Sequence, residues 1–180
     1  VVKKSLRVSL IAVLTALGIA FRVSKNAITQ IQFINIPLAF TMVGGYLGGP
    51  LVGGTVGLFT FIISDFIILP GPWTVVDSLL AFIIGVFWGT IRKFISSKLQ
   101  VFITAFFSEL LYDIASSIVL YIAIGMDVMK ALVVGIVGLF LPVCGGFIFG
   151  VGPMTELSTA FLSSLIIVHL EKIGVIPYEK

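Results

Sequence analysis

Apolar residues run along the chain in seven blocks, 6–21, 36–47, 51–69, 75–91, 101–124, 128–149 and 154–170. Glycine, proline or polar residues separate them. A helix needs about 20 residues to cross the hydrocarbon core of a bilayer. Block 36–47 is short for that, and block 128–149 is interrupted by Pro142, Gly145 and Gly146. The pattern predicts an all-α membrane protein forming a single integral domain over 1–180. Its expected architecture is a bundle of about six transmembrane helices with one broken or re-entrant segment.

Charge placement orients the blocks, because lysine and arginine concentrate on the cytoplasmic side of membrane proteins. Lys3, Lys4 and Arg7 put the amino terminus inside, and Arg92, Lys93 and Lys98 return to the same side after four crossings. Lys172 and Lys180 put the carboxy terminus there as well. Block 101–124 then leads outward and 154–170 leads back, so 128–149 starts and ends outside and is expected to be re-entrant or peripheral. Irregular backbone at membrane depth is tolerated only under a cover of protein or beside a water-filled cavity. A site beside this segment and a packed hairpin with no site both fit that rule. Arg22 and Lys25 fall outside, against the trend. Lys3 and Lys4 before a short apolar run also resemble a cleavable signal sequence. Since everything downstream is membrane-embedded, the first block is expected to stay as a helix.

Composition supports the bilayer as solvent. Of 180 residues, 59% are hydrophobic and 11% charged, with a mean hydropathy of +1.24, whereas a soluble domain averages about 25% charged. A chain this short could not hide so much apolar surface from water. A lone cysteine, Cys144, excludes a disulfide within the chain and reads as a small packing residue. His169 has no Cys or His neighbour, so no metal site is signalled. The net charge of +3 follows membrane topology and forms no basic face alternating with aromatics, so nucleic acid is not an expected partner.

Helices in lipid associate through close approach at small residues. Three stripes recur every fourth position: Ala12, Ala16 and Ala20; Gly49, Gly53 and Gly57; and Ala81, Gly85 and Gly89. Ordinary packing within the bundle accounts for any one of them. The first begins near the cytoplasmic end, where a partner protein could dock. Carboxylates within membrane helices are costly and face the interior or a cavity. Asp77 shares the small-residue face of Ala81, and Glu109 and Asp113 are one turn apart beside Ala105, Ser116 and Ser117. Glu156 precedes Ala160 and Ser164 at the same spacing, and Asp65 lies two turns after Gly57. With the orientation above, Asp65, Asp77 and Glu156 lie toward the outer face together with Asn35, Trp73 and Thr74; Glu109 is deeper and Asp113 near the middle. A pocket walled by acids, an amide and an indole suits a polar, ring-containing or cationic solute. The competing expectation is that some acids pair with Arg22, or that Asp77 and Glu156 sit in first helical turns, where negative charge is favoured.

Enzymatic chemistry finds no motif. The chain has no His-Glu-x-x-His pair, no Gly-x-Ser-x-Gly elbow and no phosphate-cradling loop ending in Gly-Lys. Glu109 and Asp113 could form an acid–base dyad, but Tyr112 and the nearby serines complete no known site. The expectation is a non-enzyme with no catalytic residue, no metal and no cofactor of its own.

These features resemble a substrate-binding (S) component of an energy-coupling factor transporter, the vitamin-uptake branch of the ABC transporters. The Ala12, Ala16 and Ala20 stripe is similar to the small-residue motif such proteins carry on their first helix. Asn35, Ile36 and Pro37, the Gly-rich turn 44–50 and a helix ending in Ser64 and Asp65 are similar to the family's pattern. Gly71, Pro72, Trp73 and Thr74 resemble the opening of the fourth helix in the subgroup linked to cobalamin or related precursors. Region 140–153 matches no pattern of the family. The resemblance implies a cell-membrane subunit that captures a small vitamin-like solute from outside. It would dock through Ala12, Ala16 and Ala20 onto a membrane coupling (T) subunit and release inward, with two separate ATPase subunits using the ATP. Asn35, Asp65, Trp73, Asp77, Glu109, Asp113 and Glu156 are the candidate solute contacts. A stand-alone proton- or ion-coupled carrier working through Glu109 and Asp113 is the alternative, and an intramembrane enzyme a third possibility.

Overall fold

The computed structural model describes residues 4–141 and 151–174. It is an all-α membrane bundle: α1 (Lys4–Ile28), α2 (Ile36–Gly48), α3 (Pro50–Ile68), α4 (Pro72–Ile91), α5 (Lys98–Ala123), α6 (Val128–Gly138) and α7 (Val151–Lys172). Five of these, α1, α3, α4, α5 and α7, are long and apolar enough to cross a membrane, and α2 and α6 are shorter.

Local chemistry sets most of the ends. Asn35 caps α2 by accepting from the Leu38 amide at 3.3 Å, with Pro37 in the first turn, where its missing N–H costs nothing. Gly49 alone joins α2 to α3; its φ of 90° is open to glycine and strained for other residues. Pro50 then starts α3. Pro72 starts α4, and the Thr74 hydroxyl accepts from the Gly71 amide at 3.1 Å. Ser97 and Gln100 form a reciprocal capping box at α5, and Asp127 caps α6. Helix α4 therefore begins five residues before Asp77 and α7 five before Glu156, so neither acid lies in a first turn and neither gains from that position.

At 13 residues, α2 is about 20 Å long, yet every one of its residues is buried. It is surrounded by α1, α3, α4 and α7. Two of the glycine stripes explain how. A Cβ on Gly45 would come within 2.6 Å of the Gly85 carbonyl oxygen, and one on Gly53 would strike the same oxygen and the Gly45 backbone. One on Gly57 would lie 2.7 Å from the Ala81 carbonyl oxygen. Backbone thus meets backbone where α2, α3 and α4 converge. The third stripe behaves differently. Helix α1 buries Leu14, Thr15 and Gly18 against the bundle, and Ala12, Ala16 and Ala20 are exposed on its surface.

Side-chain bonds distinguish the two ends of the bundle. At one end Arg92 donates to the carbonyls of Tyr46 (3.3 Å) and Leu47 (3.1 Å), closing the C-terminus of α2 with a cation. There the Tyr46 hydroxyl also donates to Glu171 at 2.6 Å. At the other end, the hydroxyls of Thr155 and Ser158 donate to the carbonyls of Gln32 and Phe33, each at 2.5 Å, and Thr159 accepts from the Asn35 amide at 2.8 Å. Helix α7 therefore holds the loop between α1 and α2 in place. Helix α6 spans only 11 residues, about 16 Å, which is too short to cross a bilayer. The remainder of the expected broken segment, with Pro142, Cys144, Gly145 and Gly146, lies outside the described residues, as do Lys3 and Lys180.

Replacing Gly53 or Gly85 by valine forces backbone against side chain with nothing flexible to yield. Overpacking at such a contact costs about 3 kcal/mol, so either variant should lower the thermal midpoint in detergent sharply. Gly138→Ala, whose Cβ meets nothing within 4 Å among the described residues, should leave it unchanged. Equal effects from all three would show that the glycine junction is not what holds the bundle.

Candidate functional site

Six carboxylates lie within the membrane-length helices; Glu171 is at the end of α7, bonded to Tyr46, and the other five are turned inward. Asp65, Glu109 and Glu156 are 2%, 0% and 1% exposed, and Asp77 and Asp113 are partly buried. The small residues that share their helix faces dictate this orientation, since those faces are the ones that approach other helices.

Arg22 of α1 separates one acid from the rest. Its guanidinium is 2.6 Å from Asp65, donates to the Ser64 hydroxyl at 2.5 Å and lies over the Phe61 ring, 5.0 Å from its centre. Both polar contacts are made by Nη1, and Asp65 Oδ2 is buried without a hydrogen-bond partner among the described residues. The bridge accounts for Asp65 structurally, as the competing expectation had it. Asp77 of α4 takes a hydrogen bond from the Ser116 hydroxyl of α5. Trp73 lies on the exterior, 36% exposed, with its indole N–H bonded to the Leu69 carbonyl of its own turn at 3.1 Å. The buried Thr74 hydroxyl closes the turn before α4.

The remaining acids form one group. Glu109 and Asp113, one turn apart on α5, face each other and Glu156 of α7. Asn35 stands beside Glu109, but neither Glu109 oxygen reaches hydrogen-bond geometry with a described residue, and the same holds for Glu156 Oε1. No arginine or lysine forms an ion pair with these three among the described residues. Unpaired carboxylates in such surroundings are expensive, so the group must take up protons or a cationic partner.

A partly open cleft of about 220 Å³ reaches Asp113 of this group. Asp113, Ser116 and Ser117 of α5 line one wall, and Gln32 and Thr155 another. Gly138 at the end of α6, Leu139 just after it and Gly152 of α7 line the remaining side. Of the sequence-predicted contacts, Asp113 lines the cleft. Glu109, Glu156 and Asn35 are buried and do not line it, Asp77 is bonded to the lining Ser116, and Asp65 and Trp73 have other partners. Gln32, Thr155 and Ser117 were not among the predicted contacts. The hydroxyl spacing of Thr155, Ser158 and Thr159 on α7 was the available signal, because three hydroxyls on adjoining positions of an apolar helix need polar partners.

Among the described residues, no three of His, Cys, Asp and Glu are placed to hold a metal ion. No protein-family model matches the chain, and neither the curated proteins nor the solved structures provide a match.

The Arg22–Asp65 pair allows a direct check. Removing one partner leaves a buried charge alone, which costs about 3–5 kcal/mol. Arg22→Met and Asp65→Leu should therefore each destabilise strongly, while the double variant should recover most of the loss. Unfolding in detergent measures this; simple additivity would show that the two residues do not act as a pair.

Proposed function

We propose that the chain is the membrane solute-capture subunit of an ATP-driven uptake transporter of the energy-coupling factor type. The observation that carries this reading is the polar cleft at one end of the bundle, lined by Asp113, whose group includes the buried carboxyls of Glu109 and Glu156. A helix pair packed only for stability has no use for such a group, whereas a binding site does. The orientation argued from charge places that end outside the cell membrane and both termini in the cytoplasm. The cleft is small, which favours a compact solute over one as large as cobalamin.

The exposed alanine stripe on α1 supports the second half of the reading. Ala12, Ala16 and Ala20 leave a smooth strip on a helix whose opposite face is already used, a form suited to close contact with another membrane helix. In this scheme a coupling subunit docks there, and two ATPase subunits bound to it supply the energy. This chain contributes binding and release, with no covalent change to the solute and no cofactor of its own.

One observation favours a second reading. Glu109 and Asp113, adjacent on α5 and facing Glu156, could exchange protons as solute enters and leaves, as a stand-alone proton-coupled carrier requires.

Ala16→Trp separates the two. In the capture subunit it should abolish ATP-dependent uptake in vesicles carrying the whole transporter while solute binding by the purified chain is retained. Uptake by the purified chain alone, driven by a pH gradient and indifferent to Ala16→Trp, would establish the carrier instead. Native mass spectrometry of the protein as purified should show a small bound molecule.

A further inference from the structure

The cleft has a hydrogen-bonding polarity that is set from outside it. Ser116 of α5 lines the cleft one turn from Asp113. Its hydroxyl donates to Asp77 of α4, which is not part of the lining. A hydroxyl has one proton to give and two lone pairs with which to accept. Held by Asp77, Ser116 therefore meets the contents of the cleft as an acceptor. Asp113, partly exposed beside it, adds carboxyl oxygens to the same wall. Thr155, on another wall, gives its proton to the Gln32 carbonyl at 2.5 Å.

Gln32 has the opposite sense. Lys25 Nζ lies 3.1 Å from its Oε1, and an ammonium has only donors. The side-chain oxygen is engaged there, so the amide NH2 is the group Gln32 has left for a solute. No lysine, arginine or histidine is among the described residues lining the cleft. The α5 wall thus asks for hydrogen-bond donors, and it does so only while Asp77 keeps the Ser116 proton. Without Asp77 that hydroxyl is free to turn its proton into the cleft, where it would compete with a donor-bearing solute for Asp113.

We propose that Asp77 is a positioning residue for solute recognition. It does not touch the solute; by taking the Ser116 proton it makes the α5 wall an acceptor surface, which selects solutes that present N–H or O–H donors to Ser116 and Asp113. This rests on the solute-capture reading and adds to it the chemistry by which the cleft discriminates.

Butylammonium and tetramethylammonium test this directly, because they are isomers of equal charge that differ in having three N–H donors or none. The full chain in detergent is titrated with each, and the saturable rise in thermal midpoint gives an apparent affinity. Butylammonium should bind more tightly. Asp77→Leu and Ser116→Ala should each reduce that preference about fivefold, the usual worth of one hydrogen bond, and the double variant should reduce it no further. Asp77→Asn, whose amide oxygen can still take the Ser116 proton, should retain it. A merely structural Asp77 would change the midpoint without ligand and leave the ratio of affinities alone. An unchanged ratio in Ser116→Ala would overturn the proposal, as would Asp77→Asn behaving like Asp77→Leu or the absence of any preference in the unaltered chain. Should Asp77→Leu not fold, Ser116→Ala and Asp77→Asn decide. No shift with either isomer, alongside a solute found bound by native mass spectrometry, would overturn the proposal and leave solute capture in place. Absence of any bound or binding solute would remove both.

Discussion

The bundle is organised around a helix too short to reach both faces of a bilayer. Helix α2 is about 20 Å long, against a hydrocarbon core of about 30 Å, and its backbone ends cannot be left to lipid. Each end is therefore met inside the protein. Arg92 covers the last carbonyls, and Asn35 caps the first amides while hydroxyls of α7 hold the loop leading in. Burial all round is possible only because Gly45, Gly53 and Gly85 let three backbones touch. A side chain at that junction would push α3 and α4 outward and leave α2 exposed.

The same shortness makes room for polar chemistry. Near the N-terminus of α2, residues of α5 and α7 and Gln32 of the loop before it line the cleft. That is where Glu109, Asp113 and Glu156 gather. The amino end of a helix carries a partial positive charge, and with the Asn35 amide it is the nearest favourable element supplied by the fold. It is a fraction of one charge facing three carboxyls, so the arrangement stays unbalanced. Arg22 cannot correct this, since its guanidinium is committed to Asp65, Ser64 and Phe61.

Much of this was legible in the sequence, for a definable reason. Periodicity at four residues reports which face of a helix is inward, so the glycine stripes of α3 and α4 and the direction of all five acids could be read from spacing alone. Spacing does not report which helix lies opposite. The pairing of Arg22 with Asp65, 43 positions apart, and of Asp77 with Ser116 depends on the packing order, and these pairings divide the acids into those with a partner and those without. Helix starts were misjudged by about a turn at Asp77 and Glu156, since Pro72 can open a helix that hydropathy alone begins at Val75. Trp73 looked like a pocket residue because an indole at a helix start can turn inward; its N–H instead found the carbonyl four residues back.

Helix α1 links the two halves of the functional reading. Its inner face is narrow: Gly18 against Thr60, with Leu14 and Thr15 buried nearby, and then Arg22 at the polar end. Its outer face carries the alanines. Helix α1 packs on α2 and α3 through side chains and Gly18, whereas α2, α3 and α4 meet backbone to backbone. Force applied at Ala12, Ala16 or Ala20 would be transmitted through a rigid helix to Arg22, and through Arg22 to Asp65 and the ring of Phe61, whose other neighbour is Tyr112 on the acid-bearing helix α5. Under the docking proposed above, Arg22 would be the contact joining α1 to Asp65 and, through Phe61 and Tyr112, to α5.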